Sequence, residues 1–192
     1  MYLMKTSDSA TRILDSAQRL IQERGVKAMS YADISEEVGV GKPTIHHHFA
    51  TKAKLVEAVA DRYLEEYKQA LNQIMDAHES SREQLTAYTT LFQDSFEDHQ
   101  HMCLCGMLAS DIVLLSEGAA DTVNAFSLLN LNFLTRLLIR AQEQGELAPE
   151  KDPSSLAALI FSSLEGALLM ARGSQNGEVL QQVCQHVPAI LN

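Results

Sequence analysis

Lys42, Thr44, His46 and His47, followed closely by Lys52 and Lys54, crowd hydrogen-bond donors into one short stretch of the chain. Amines, imidazoles and a hydroxyl at that density suit a nucleic acid. Lysine donates to guanine O6 and N7, and threonine bonds a base edge or packs on a thymine methyl. Exposed lysines meet phosphate and set register rather than sequence. Ser30 adds a hydroxyl able to donate to a phosphate at a helix start. The run His46-His47-His48 is not read as a metal site. Successive helical residues point about 100° apart and do not close on one ion.

A second chemical cluster is His99-Gln100-His101-Met102-Cys103-Leu104-Cys105. Imidazole, thioether and thiol within seven residues match the ligand types of a metal site. A cysteine at a helix start can instead carry a lowered pKa and react with oxidants or electrophiles. Cys103 and Cys105 are therefore redox candidates. The alternative is structural, because free cysteine also behaves as a small buried hydrophobe. Enzyme motifs are missing: no phosphate-binding glycine loop, no G-x-S-x-G elbow and no H-E-x-x-H helix. No catalytic residues, cofactor or metal are expected.

Stepping outward, the donors need a scaffold, and Met29–Phe49 supplies one. Ser30 and Asp33 form an acidic variant of the capping box, so a helix is predicted to start there. Ile34 and Val38 face inward, four apart. Gly39 fits a left-handed helix end. Val40 plugs the angle, Gly41 is an N-cap and Pro43 suits a first turn. Ile45 and Phe49 then face inward, leaving Lys42, Thr44, His46 and His47 on the rim of a two-turn helix. Two short helices crossing at a tight turn place the second in a DNA groove. Before them, Ile13, Ala17, Leu20 and Ile21 fall at helical spacing and Gly25 closes that helix.

From Thr11 to Tyr67 this order resembles the TetR family of one-component transcriptional regulators. The matching residues are Ile13-Leu14, Ala17, Glu23-Arg24-Gly25, Asp33-Ile34, Gly39-Val40, Lys42, Thr44, His47-His48-Phe49 and Lys52. Two positions depart from the pattern: the family usually has an aromatic where His46 stands and often a basic residue where Ala32 stands. The resemblance implies an all-α fold with a three-helix helix-turn-helix head, residues 1–52, and a helical bundle, residues 53–192. The bundle would bind an effector and dimerise. The partners implied are double-stranded operator DNA, a small-molecule effector and a second copy, giving a repressor released from a palindromic operator. Redox or electrophile sensing through Cys103 and Cys105, or metal response, is the alternative trigger.

Composition agrees. The 192 residues carry a net charge of −10, yet residues 1–60 hold eight Lys/Arg against seven Asp/Glu, so the acid sits elsewhere. A near-neutral head can still meet phosphate. The apolar runs Leu128–Ile139 and Leu156–Ala171 are interrupted by polar residues, so no membrane span is expected. The start is too polar for a secretory signal, and a cytoplasmic protein is expected.

The body reads as helices over Lys52–Ala77, Ser80–Asp98, Leu104–Leu115, Glu117–Gln144, Ser154–Gly173 and Gly177–Leu191. A helical link from head to body would couple their movements. Candidate effector-pocket residues are Phe92, Phe96, Met107, Asp111, Phe126, Phe133, Phe161, Glu165 and Met170. A buried Asp111 or Glu165 would need a partner, such as a cationic ligand or Arg136. The last two helices are expected to pair with their copies through Leu164, Leu168, Val183 and Val187, and Cys184 is expected within that interface.

Overall fold

A computed structural model describes residues 4–97 and 101–191, and among these every regular element is helical. The helices are α1 (Met4–Ala28), α2 (Tyr31–Val38), α3 (Lys42–His48), α4 (Lys52–Ala77), α5 (Ser81–Glu97), α6 (Leu104–Ser110), α7 (Glu117–Glu143), α8 (Pro153–Ser174) and α9 (Glu178–His186). Single 3₁₀ turns at Ile112–Leu114 and Pro188–Ile190 follow α6 and α9. The expected all-α class is what the chain adopts.

Two compact units divide the chain. The first runs to Leu64 and resumes at Leu104–Asn124; the second comprises Glu65–Cys103 and the chain from Ala125 onward. In the first unit, Ile13, Ala17, Leu20 and Ile21 of α1 pack with Ile34 and Val38 of α2 and Ile45 of α3. Leu55 and Val59 of α4 and Leu104 and Leu108 of α6 complete that core. The apolar spacing puts these side chains on the inward stripe of each helix, and their burial supplies the driving force.

Local chemistry sets the crossing of α2 and α3. Ser30 Oγ accepts from Asp33 N at 3.3 Å, while Ser30 N donates to Asp33 Oδ2 at 3.0 Å, a reciprocal cap. Gly39 ends α2 in the left-handed region at φ 71°. Ser35 Oγ then donates to Val40 O at 2.6 Å, fixing the turn. Arg12 Nη2 donates to Val38 O at 2.5 Å, and Arg19 and Ser16 both bond Glu37, so α1 holds α2 by its exposed edge.

Several boundaries differ from those the sequence suggests. Gly25 ends the regular run of α1 where expected, leaving helical geometry at φ 81°, ψ 166°, but a further short turn continues to Ala28. The helix begun at Leu104 stops at Ser110, because Asp111 leaves helical geometry and its carboxylate accepts from Val26 N at 2.9 Å. The last helix stops at His186, since Pro188 has no N–H to continue it. Asp98, His99 and Gln100 lie outside the described residues.

Two helices are longer and more apolar than the short runs noted above. Glu117–Glu143 and Pro153–Ser174 meet the length and hydropathy needed to cross a membrane. Both belong to a packed bundle. In the second unit α8 packs on α5 and α9, burying Ala157, Ile160, Leu164, Ala167, Leu168 and Ala171. On its other side Leu159, Leu169 and Met170 stay 59, 62 and 60% exposed. Leu164 and Leu168 therefore face the protomer's own core rather than a second copy, because they sit about half a turn from Leu159 and Met170. Val187 is buried too, and Val183 is half-buried. Cys184 is buried, with its thiol 3.6 Å from Thr89 O.

Gly25 occupies a region essentially reserved for glycine, and an added Cβ would lie 3.1 Å from Asp111 Oδ2. At Gly39 an added Cβ meets nothing within 4 Å. Gly39→Ala is expected to lower unfolding free energy by about 1–2 kcal/mol. Gly25→Ala should cost more, about 2–3 kcal/mol. Urea denaturation of both variants measures the order.

Candidate nucleic-acid interface and buried polar cluster

The rim of α3 carries the donors. Lys42 opens the helix, exposed, and its amine meets no partner among the described residues. Thr44 is half-buried, while His46 and His47 are exposed on the same short helix. His46 leans on the Tyr31 ring, centroids 4.7 Å apart, with Nδ1 3.3 Å from Ala50 O. Tyr31 in turn donates to Phe49 O at 2.8 Å, and partial burial raises its pKa. Sequence reasoning passed over Tyr31. It props the imidazole that stands where an aromatic was expected. His48 turns the other way, its Nε2 2.9 Å from Ser9 Oγ.

Three of the expected phosphate donors already have work inside the fold. Ser30 Oγ donates to Asp33 Oδ2 at 2.6 Å, which holds the Asp33 carboxyl below its ordinary range. Lys52 Nζ donates to Met29 O at 2.6 Å and reaches Lys27 O at 3.5 Å. Burial lowers the Lys52 pKa, and the nearby carboxylates of Asp111 and Asp33 act against that. Lys52 thus ties α4 to the end of α1. Lys54 pairs with Glu57 at 2.9 Å but stays exposed, so solvent or phosphate can exchange for that partner.

The expected pocket residues separate into two groups. Asp111 and Met107 belong to the first unit, where both approach Gly25. Asp111 finds its partner in the Val26 N–H rather than in Arg136 or a ligand. Met170 is exposed on α8, and Phe96 lines a surface groove with Asn176 and Gly177.

The remaining candidates meet in the second unit. Tyr88 stacks on Phe133 at 5.5 Å and meets Phe92 edge-on at 5.6 Å. Phe126 contacts Tyr67 at 4.7 Å and Phe161 at 6.2 Å. Asn130 sits fully buried at the centre, its Oδ1 accepting from Tyr88 at 2.7 Å and from Tyr67 at 3.0 Å. Its Nδ2 donates to Phe126 O at 2.9 Å. The Glu165 carboxyl is bonded by the Cys103 thiol, while its Oε1 is sealed from solvent with no hydrogen-bond partner among the described residues. Burial pushes its pKa up, and Tyr88 is pushed up by its own burial, with Glu165 adding to the effect. Arg136 is exposed and pairs with nothing here; among the described residues no cation meets Glu165.

Cys103 and Cys105 are both buried, and no group of three His, Cys, Asp or Glu able to hold a metal occurs among the described residues. Cys103 belongs to the second unit and Cys105 to the first, on α6. The Cys103–Glu165 pair is invisible in the sequence, since its members stand 62 positions apart.

The chain matches two family models, "Bacterial regulatory proteins, tetR family" over residues 13–59 and "Tetracyclin repressor-like, C-terminal domain" over residues 81–187. It is 27% identical over 173 residues to the transcriptional repressor ComR of Escherichia coli, covering 88% of this chain and 82% of that one. It is 24% identical to the repressor NemR of the same organism, covering 96% and 94%. A TetR-family regulator from Agrobacterium tumefaciens superposes with a TM-score of 0.92 at 29% identity, over 97% of this chain and 99% of that one. The reduced form of Escherichia coli NemR shares the fold, with a TM-score of 0.81 at 22% identity over 96% and 97%.

The raised Glu165 pKa has a stability consequence. The folded state holds that proton more tightly than the unfolded chain, so stability falls as pH rises from the ordinary carboxyl value of 4.5 towards the raised one. Glu165→Gln removes the ionisable group. The variant is expected to melt at a higher temperature than wild type at neutral pH, with the gap closing below pH 4.5. Thermal melts across that range measure it.

Proposed function

The chain belongs to the TetR family of DNA-binding transcriptional regulators, and on that premise we propose that it is a homodimeric repressor released from a palindromic operator by a small molecule. One observation carries the DNA reading. Lys42 stands exposed and unbonded at the start of α3, beside Thr44 and the exposed His46 and His47. The first residues of a recognition helix are those that reach base edges. Residues 1–52 serve as the DNA-binding part, with Lys42 and Thr44 on bases. His46, His47 and Lys54 meet base edges or phosphates, and Lys52 and Ser30 hold the helices in position. Repression is taken from the relatives ComR and NemR, both transcriptional repressors.

Residues 53–192 serve effector binding and dimerisation. The exposed apolar side of α8, with Leu159, Leu169 and Met170, is the surface offered to a second copy. The effector enters the aromatic cluster around Phe126, Phe133 and Phe161 in the second unit. To cause release it must bind the DNA-incompetent state more tightly than the DNA-bound one. A two-fold dimer reads two half-sites separated by whole turns of DNA.

Fluorescence anisotropy on DNA flanking the chain's own gene tests the DNA reading, with affinity expected to fall as salt rises. Lys42→Ala should reorder preference among single-base operator variants, by about 1–3 kcal/mol at the position read. An unchanged ranking would refute base reading by Lys42. Leu169→Glu should yield a monomer in sedimentation velocity and lose two-half-site binding. A variant that stays dimeric would move the interface elsewhere. A thermal-shift library screen tests the effector reading, because a ligand of the native state raises its melting temperature.

A further inference from the structure

Among the described residues around the aromatic cluster, Glu165 carries a buried polar atom without a partner. A buried carboxyl oxygen normally has a donor, because desolvation without a hydrogen bond is costly. Cys103 serves one side of the carboxyl, yet Oε1 has no partner and no solvent. The neighbouring polar groups are already committed: both tyrosine hydroxyls donate to Asn130 Oδ1, and Asn130 Nδ2 donates to Phe126 O. Phe161 precedes Glu165 by one turn on α8 and meets Phe126, so apolar rings border the carboxyl.

Charge favours one class of guest. The second unit holds six Lys/Arg against fourteen Asp/Glu, so its field attracts cations and repels anions. An ammonium group supplies the missing N–H donors to Oε1 and neutralises the carboxylate, and aromatic faces attract the same charge. We propose that the site selects effectors carrying a protonated amine on an apolar, ring-sized body, with Glu165 as the specificity-determining residue. This rests on the effector reading above. A carboxylate-bearing molecule of equal size is disfavoured, because it brings a second acid to share one proton with Glu165 in a unit whose net charge is already negative. Burial of Glu165 sharpens the choice: the empty site favours the neutral acid, and only a cation restores the carboxylate.

Three matched probes test it by isothermal titration calorimetry: 4-phenylbutylamine, 4-phenylbutan-1-ol and 4-phenylbutyrate. The amine is expected to bind about tenfold or more tighter than the alcohol, the worth of one charge-assisted hydrogen bond, and the acid not to bind. Glu165→Gln keeps the shape and should bind amine and alcohol alike; Glu165→Asp should recover part of the preference. Equal affinity for amine and alcohol in wild type, or an undiminished amine preference in Glu165→Gln, overturns the proposal. Operator release by the alcohol or the acid would sink the amine class and leave the effector reading standing. Failure of all three to bind also overturns the amine class, and the library screen then decides the effector reading separately.

Discussion

The recognition helix is aimed by the way α1 ends. Gly25 breaks the helix at a backbone geometry that only glycine holds comfortably, which frees the Val26 N–H from its own ladder. Asp111, brought from the far side of α6, accepts that N–H, and Lys52 donates to the Met29 carbonyl a few residues later. Each group left over by the break thus finds a partner on a different helix. Buried backbone groups must be satisfied, so the three helix ends fix one another. With α1 ended this way, the Ser30 cap begins α2 in a set direction, and Gly39 and Ser35 then turn the chain into α3.

The second unit shows the same rule at its centre. Asn130 lies fully buried in the middle of α7 and accepts two tyrosine hydroxyls at a single oxygen. Its amide returns to the helix carbonyl one turn earlier. A buried amide bonded at both its oxygen and its nitrogen favours one arrangement of the surrounding rings. Glu165 breaks the rule next door, with one carboxyl oxygen unmatched. Bordered by aromatic rings and by hydroxyls that are already committed, that oxygen is where a donor supplied from outside would fit.

The helix-turn-helix could be read almost residue by residue because its determinants are local. The Ser30–Asp33 cap, the Gly39 turn, the Gly41 cap and Pro43 each act through neighbours a few positions away, and each stands at its expected place. Longer-range readings fared differently. The sequence presents Asp111 and Glu165 alike as pocket carboxylates in need of a partner, yet Asp111 serves the first unit and Glu165 the second. Leu164 and Leu168 were placed at a dimer face because α8 is apolar on most sides. Periodicity cannot say which side of such a helix its own core will claim. The lysines after α3 were read by charge alone, and Lys52 turned out to have backbone carbonyls within reach.

What the sequence determined by itself is the helical class, the head with its turn, and the side chains lining the rim of α3. Those follow from propensity, capping and spacing, interactions that close within a turn or two of chain. Tertiary structure alone decided that Cys103 meets Glu165, that Asn130 collects two tyrosines, and that Leu159, Leu169 and Met170 remain uncovered. These outcomes depend on which helices pack together, and contacts between residues dozens of positions apart leave no periodic trace in the chain.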